Sequence, residues 1–308
     1  MATKTYDIIT TEPPGSPAWL KAHEGRIGGS DVASILGVGR KTPLRVWAEL
    51  THHIEREDIS KLPHIRLGNA LEPVVKALYT ESTQRPVLDT PGLIAHPTLP
   101  WIAGTPDGMV EINGSLGVFE AKTLGFQKKK DWDGEAIPLD YQIQVHLYLV
   151  LTGCEQASIA ALTKDNPGDD DEPILWRDMV IQPVFADHMM DKLVEFREKH
   201  WLTDIPPEGN WEKDRDTIKR MFPREVEGTV MEMTEEAAQH WFNKEQLAAQ
   251  KTAVSKELEA ETAWLEAWMG TAARALGPGF DLKFVQEQRK GYEVKPTSVR
   301  MIRKVKKT

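Results

Sequence analysis

The chain has 308 residues, 40% of them hydrophobic and 28% charged, with a net charge of −9 and a single cysteine. These values suit a soluble globular protein with one large domain or a core plus an appendage, and they exclude an internal disulfide, a cysteine-cluster zinc site and a protein that coats nucleic acid by phosphate neutralisation alone. No stretch approaches the roughly 20 apolar residues that span a bilayer, and "MATKTYDIITTEPPGSP" lacks the apolar core of a signal peptide, so the chain reads as cytoplasmic with no membrane partner.

In chain order, the opening to about Pro17 reads as irregular. "SPAWLKAHEGRIGGSDVASILGVGRKTPLRVWAEL" predicts a short helix, a glycine turn, a helix with Ser30 or Asp31 as N-cap, and another helix over Pro43 to Leu50. "IRLGNALEPVVKALYTEST" spaces Leu67, Leu71, Val74, Val75 and Leu78 as a helix does, with Glu72 inside it. The period then changes: "GLIAH", "WIAGTPDGMVEI" and "LGVFEAKTL" read as an antiparallel meander. "YQIQVHLYLVLTG" is an apolar helix ending at Gly153, with Cys154 behind it as a buried thiol. "ASIAALTK" and "LWRDMVIQPV" are strands on either side of the solvated acidic loop "GDDDE", and "FADHMMDKLVEFREKHWL" is a helix. Helix, three strands, helix, strand predicts an α/β (α+β) core with a mixed sheet rather than a doubly wound one.

That core is expected over residues 16–205. Residues 206–308 then form a C-terminal extension with a long helix over 234–276 and a basic hairpin over 281–307, turning near Lys290-Gly291. Along the helix Leu247, Val254, Leu258, Leu265, Trp268, Ala272 and Leu276 mark one face, and Gly277-Pro278-Gly279 stops it. From Asp281 to Thr308 nine Lys/Arg stand against three Asp/Glu, a net of +6 that suits either contact with a DNA backbone or protection of a strand edge.

The chemistry concentrates in "GTPDGMVEINGSLGVFEAK". Asp107 sits at the tip of a Pro-Asp-Gly turn, and Glu120 and Lys122 lie two apart on the next strand, so their side chains share a face. Two carboxylates suit Mg²⁺, with Mn²⁺ able to substitute, and the carbonyl of Ala121 is an extra ligand. A metal held there activates water and stabilises charge developing on phosphorus, with Lys122 orienting or helping to deprotonate that water. The same three residues also suit the solvated edge of a half-buried strand. "FQKKKDW", which follows directly, places Lys128 and Lys129 among aromatics where they would track a DNA backbone or line a solvated loop.

Over about Trp19 to Gly153 the sequence resembles the YqaJ-like viral recombinases, phage exonucleases related to lambda exonuclease within the PD-(D/E)XK superfamily. It does so through "RIGGSDVASILG", "LGNALEP", "GTPDG", "FEAKT" and "YQIQVHLYLVLTG" in that order. The resemblance implies a restriction-endonuclease-like core in which Asp107 and Glu120 are metal ligands, Lys122 is the catalytic lysine and Glu72 completes the acidic site. It implies a glutamine from the following helix, either Gln142 or Gln144, the latter also fitting a Gln144-x-x-x-Tyr148 signature of RecB type. Ser30 matches a family serine near the DNA 5′ end. The family's arginine seven residues earlier is His23 here, so Arg26 or Arg40 is expected to stand in. The activity implied is Mg²⁺-dependent hydrolysis of linear duplex DNA, 5′ to 3′, by a phage- or prophage-encoded enzyme that leaves single strand for recombination. A ring-shaped homotrimer and a single-strand annealing partner are implied as well. The rivals are an endonuclease of the same superfamily and a non-catalytic DNA-binding module.

Overall fold

The computed structural model describes residues 6–124, 132, 136–163, 174–277 and 279–283. Within them the chain forms two compact units, Met1–Phe222 and Pro223–Thr308.

The first unit is organised around a five-stranded sheet of order β2-β5-β6-β7-β8, comprising β2 (Val87–Leu88), β5 (Gly108–Ile112), β6 (Ser115–Leu124), β7 (Gln156–Thr163) and β8 (Ile174–Val180). Asn113 and Gly114, both at positive φ, make the two-residue turn that joins β5 to β6 and sets Ile112 opposite Ser115 and Gly108 opposite Phe119. β6 and β7 run parallel, with Glu120 beside Ile159. A parallel pair needs a crossover, and α5 (Leu139–Thr152) lies within it. This helix is apolar nearly all round because the sheet covers one side and other helices the rest; Gly153, at φ 63°, ends it.

The predicted meander is split between two sheets. β3 (Leu93–Ala95) and β4 (Ala103–Gly104) join β1 (Asp7–Thr10), in the stretch expected to be irregular, in a separate three-stranded sheet. Pro106 has no N–H to continue a ladder, so the chain leaves the small sheet at β4 and enters the large one at β5, with Asp107 at the crossing.

Helices cover both faces of the large sheet. Val118, Leu124, Ile159 and Ala161 face the main core with Leu147 and Leu149 of α5. Phe119, Ala160 and Ile174 on the other face pack with Val75 and Tyr79 of α4 (Pro63–Thr83). Four further helices complete the unit: α1 (Pro17–His23), α2 (Gly29–Ile35), α3 (Pro43–Leu50) and α6 (Pro183–Phe196), the last running on into a π-helical turn over Arg197–Trp201. The N-cap of α2 is Gly28, not Ser30 or Asp31. Asp31 occupies the third helical position and reaches back to accept from the Gly28 N–H at 3.4 Å. A seventh helix, α7 (Arg215–Met221), lies in the stretch assigned from sequence to the extension, yet it packs on the core: buried Asp214 accepts hydrogen bonds from Thr42 and from the Asn210 N–H.

The second unit carries α8 (Glu235–Met269), capped by Thr234, whose hydroxyl accepts from the Ala237 N–H at 3.1 Å. It ends at Gly270, earlier than the expected 276, because a positive φ is open to glycine there; Leu276 lies instead in a short hairpin of β9 (Arg274–Gly277) and β10 (Phe280–Lys283). The expected turn near Lys290-Gly291 and most of the basic segment lie outside the described residues.

Candidate active site

Asp107 and Glu120 meet where β5 begins and β6 runs on past it. The Ala121 N–H, left without a β5 partner, donates to Asp107 Oδ2 at 2.8 Å. The N–H and C=O of one strand residue point towards the same neighbour, so the Ala121 carbonyl faces that gap too. Glu120 and Lys122 project from the α5 face of β6, and the Lys122 ammonium donates to Glu120 Oε1 at 2.5 Å.

α5 contributes a face of three side chains spaced three and four apart. Lys122 donates to Gln144 Oε1 at 2.9 Å, the Gln144 amide donates onward to the Tyr148 hydroxyl at 2.9 Å, and the Tyr141 ring lies 4.9 Å beneath the ammonium. Gln144 is therefore the glutamine at the site. Gln142 is not: two positions along the helix turns it about 200° away, and its amide donates to the Ile137 carbonyl at 2.6 Å. Two glycines make room for Tyr148. A Cβ on Gly104 would come within 2.5 Å of its ring, and one on Gly29 within 2.8 Å of its hydroxyl. Tyr141, Gly29 and Gly104 went unread in the sequence; the 141–144–148 spacing was the available signal for the tyrosine.

Burial and the neighbouring Glu120 push the Asp107 carboxyl well above the usual carboxylate range. Burial likewise raises Glu120, against the pull of Lys122. For Lys122 burial works the other way, but Glu120 and Asp107 outweigh it and hold the ammonium above its ordinary value. In this arrangement the ammonium donates to both Glu120 and Gln144. Burial and Glu120 also raise the Tyr148 phenol, which stays neutral.

The donor set fits a divalent cation. Among the described residues no three His, Cys, Asp or Glu side chains draw together as a complete metal cage, so the centre offers two carboxylates with the Ala121 carbonyl, the few-ligand arrangement of a hard ion that keeps waters. Buried Glu120 Oε2 accepts no hydrogen bond from the described residues. An anionic oxygen left bare in a low-dielectric site calls for a positive partner. Glu72 stands on α4, across the sheet from Glu120. Its charge still raises both Asp107 and Glu120, while its own carboxylate accepts from Lys76 at 2.6 Å.

The expected DNA contacts are scattered. Ser30 is exposed in the first turn of α2, one residue after Gly29. Arg26 donates from Nε to the Pro100 carbonyl and from Nη1 to those of Ala22 and Glu24. Arg40 is exposed in the connection to α3. Lys128 and Lys129 lie outside the described residues. His23 is held against Arg56, 3.5 Å from Nη1.

Comparison with known proteins places this geometry. The model of the YqaJ-like viral recombinase domain matches residues 18–155. The YqaJ protein of Bacillus subtilis (strain 168) is 25% identical over 268 residues, 84% of this chain and 81% of its own length. The crystal structure of an alkaline exonuclease (LHK-Exo) from Laribacter hongkongensis superposes with a TM-score of 0.51 at 18% identity, covering 65% of this chain and 97% of that one. LHK-Exo in complex with dAMP gives 0.50 at 20% identity with the same coverage. At such identities the two superpositions establish a shared fold. Asp107, Glu120, Lys122, Gln144 and Tyr148 all fall inside the segment, residues 18–155, that is similar to the YqaJ-like viral recombinase domain.

Proposed function

We propose that this chain is a Mg²⁺-dependent deoxyribonuclease of phage type that degrades linear duplex DNA from its 5′ end and leaves single strand for recombination. The observation that carries the reading is the Asp107–Glu120–Lys122 cluster with its bare Glu120 oxygen, inside a segment that is similar to the YqaJ-like viral recombinase domain and in a chain that shares the fold of an alkaline exonuclease. Asp107, Glu120 and the Ala121 carbonyl would hold Mg²⁺, or Mn²⁺ in its place; when bound, the ion supplies Lewis-acid stabilisation of the charge that develops on the scissile phosphate. Lys122, held protonated between Glu120 and Gln144, presents positive charge to the same oxygens. Tyr148 keeps the Gln144 amide turned with its oxygen to Lys122. Ser30, at the opening turn of α2, offers a hydroxyl to a terminal 5′ phosphate, and the exposed Arg40 stands nearby in sequence to add charge.

Duplex ends are the substrate in this reading; an annealing protein that takes up the product strand and a ring-shaped trimer are its implied partners. End-labelled linear duplex and closed circular duplex, each with and without Mg²⁺, test it. Loss of label from linear DNA alone, faster on 5′-phosphate than on 5′-hydroxyl ends and only with the metal, is the expected result. Nicking of closed circles would move the assignment to an endonuclease, and binding without cleavage to a DNA-binding module.

A further inference from the structure

Helix α8 buries none of its residues, and Leu247, Val254, Leu258, Leu265 and Trp268 stand 40–67% exposed along it. Those five positions occupy one heptad seam, and the same seam passes through Lys244, Lys251 and Glu261. A stripe two positions in seven wide is the signature of a coiled-coil contact, narrower than that of a helix lying on a globular core. The charged positions that interrupt it decide the partner and its direction.

We propose that α8 is a self-association surface on which a second copy of this chain pairs antiparallel, with the two-fold axis passing at Lys256. Seam positions equidistant from 256 then face one another. Leu247 meets Leu265 of the second copy, Val254 meets Leu258, and Lys251 meets Glu261, each pair occurring twice by symmetry. Lys244 meets Trp268, whose ring already stacks on Trp264, while within its own helix Lys244 already lies 4.2 Å from the Trp241 ring. The four aliphatic positions find one another, Trp268 takes the Lys244 ammonium on its ring, and both seam charges closest to the axis find their opposites. A parallel pair in the same seam would set Lys251 against Lys251 and Glu261 against Glu261, like charges in a desolvated seam. Glu257 faces its own copy in the antiparallel arrangement, but on the wet flank, where such a pair costs little.

Sedimentation equilibrium of the full chain over a dilution series tests the pairing in the wild type, Lys251→Glu, Glu261→Lys and the double exchange. All of these are exposed helix positions whose replacement leaves the fold in place. The wild type forms species with an even number of chains, which a ring of three alone does not give. Each single exchange weakens that association roughly tenfold or more, because both ion pairs become like-charged pairs, and the double exchange restores it. A monomeric wild type, single variants that associate as before, or a double exchange that fails to restore association would overturn the proposal. Unchanged single variants are the result expected of a parallel pair, in which each exchange swaps one like-charged pair for another.

Discussion

Asp31 and Glu49, whose side chains are 1% and 2% exposed, are enclosed by Lys41, Arg45 and Arg56, whereas Asp107 and Glu120, a few elements away in the same unit, share Lys122. Glu49 accepts from Lys41 at 2.5 Å, Arg45 at 3.1 Å and Arg56 at 3.3 Å. Burial alone would raise Asp31, but Arg56 and Lys41 outweigh it and hold the carboxyl below its usual range. At the other cluster the balance is reversed: Asp107 and Glu120 are both raised and lie against each other, and among the described residues no N–H or hydroxyl donates to Glu120 Oε2. Burying a carboxylate costs several kcal/mol unless a partner offsets it. One cluster therefore carries its compensation within the chain, tying α2 to α3 and the loop beyond it, and the other leaves room for a cation from outside. The difference separates a carboxylate that holds the fold from one to which the proposed function gives a chemical role.

The sharpest way to break this comparison is to neutralise one acid in the undercompensated cluster. Asp107→Asn or Glu120→Gln is expected to lower the rate of end-labelled duplex degradation by about a thousandfold or more, roughly 4 kcal/mol of barrier, as for loss of a metal ligand. The metal-free unfolding temperature should stay level or rise, because a repulsive pair has been relieved. A fall in unfolding temperature would place these acids with the structural set. Glu49→Gln is expected to do the reverse, costing about 3 kcal/mol in urea unfolding because three cations lose their shared buried partner. Turnover per folded molecule should be retained.

His23 sharpens the contrast through pH. Burial and the Arg56 charge lower its imidazole to about 4. The unfolded chain takes up this proton near 6.5, while the folded chain refuses it until about pH 4, so the stabilisation is complete above pH 6.5 and is lost as pH falls towards 4. His23→Gln should flatten this acid limb of the unfolding curve by roughly 2 kcal/mol at pH 4. An unaltered limb would mean that the cationic cluster does not act on His23. The smallest effect belongs to Tyr148→Phe, which leaves the Gln144 amide without its acceptor. Loss of one such hydrogen bond, about 1 kcal/mol, predicts a fall of about fivefold in kcat with KM little changed. Rescue is not expected from changes at Gln142, whose amide faces Ile137.

Periodicity and turn chemistry made most local elements legible. The helical spacing through Glu72, the strands around Asn113-Gly114 and the apolar helix closing at Gly153 appear as read. Asp107, Glu120 and Lys122 were visible because charged residues in an otherwise apolar strand pattern contradict burial and so advertise a purpose. The choice between Gln142 and Gln144 was not visible. On a helix apolar all round, no stripe says which side meets the sheet; only the packing of α5 over β6 decides it. The split of the meander between two sheets likewise depends on which long-range partner each short strand finds. The end of α8 at Gly270 turned on one residue's backbone conformation, against an apolar repeat that continued past it.

By itself, then, the sequence determined the local conformations and the inventory of reactive groups, because these rest on spacing, turn residues and side-chain chemistry carried by neighbouring positions. Only the tertiary structure decided which charges would be compensated. Asp31 with Arg56 and Glu49 with Lys41 join residues many positions apart, and Glu120 stays undercompensated because β5 stops short and α5 brings a neutral amide where a second cation would have closed the site. A carboxylate's role here follows from how many cations the fold brings within reach once water is gone.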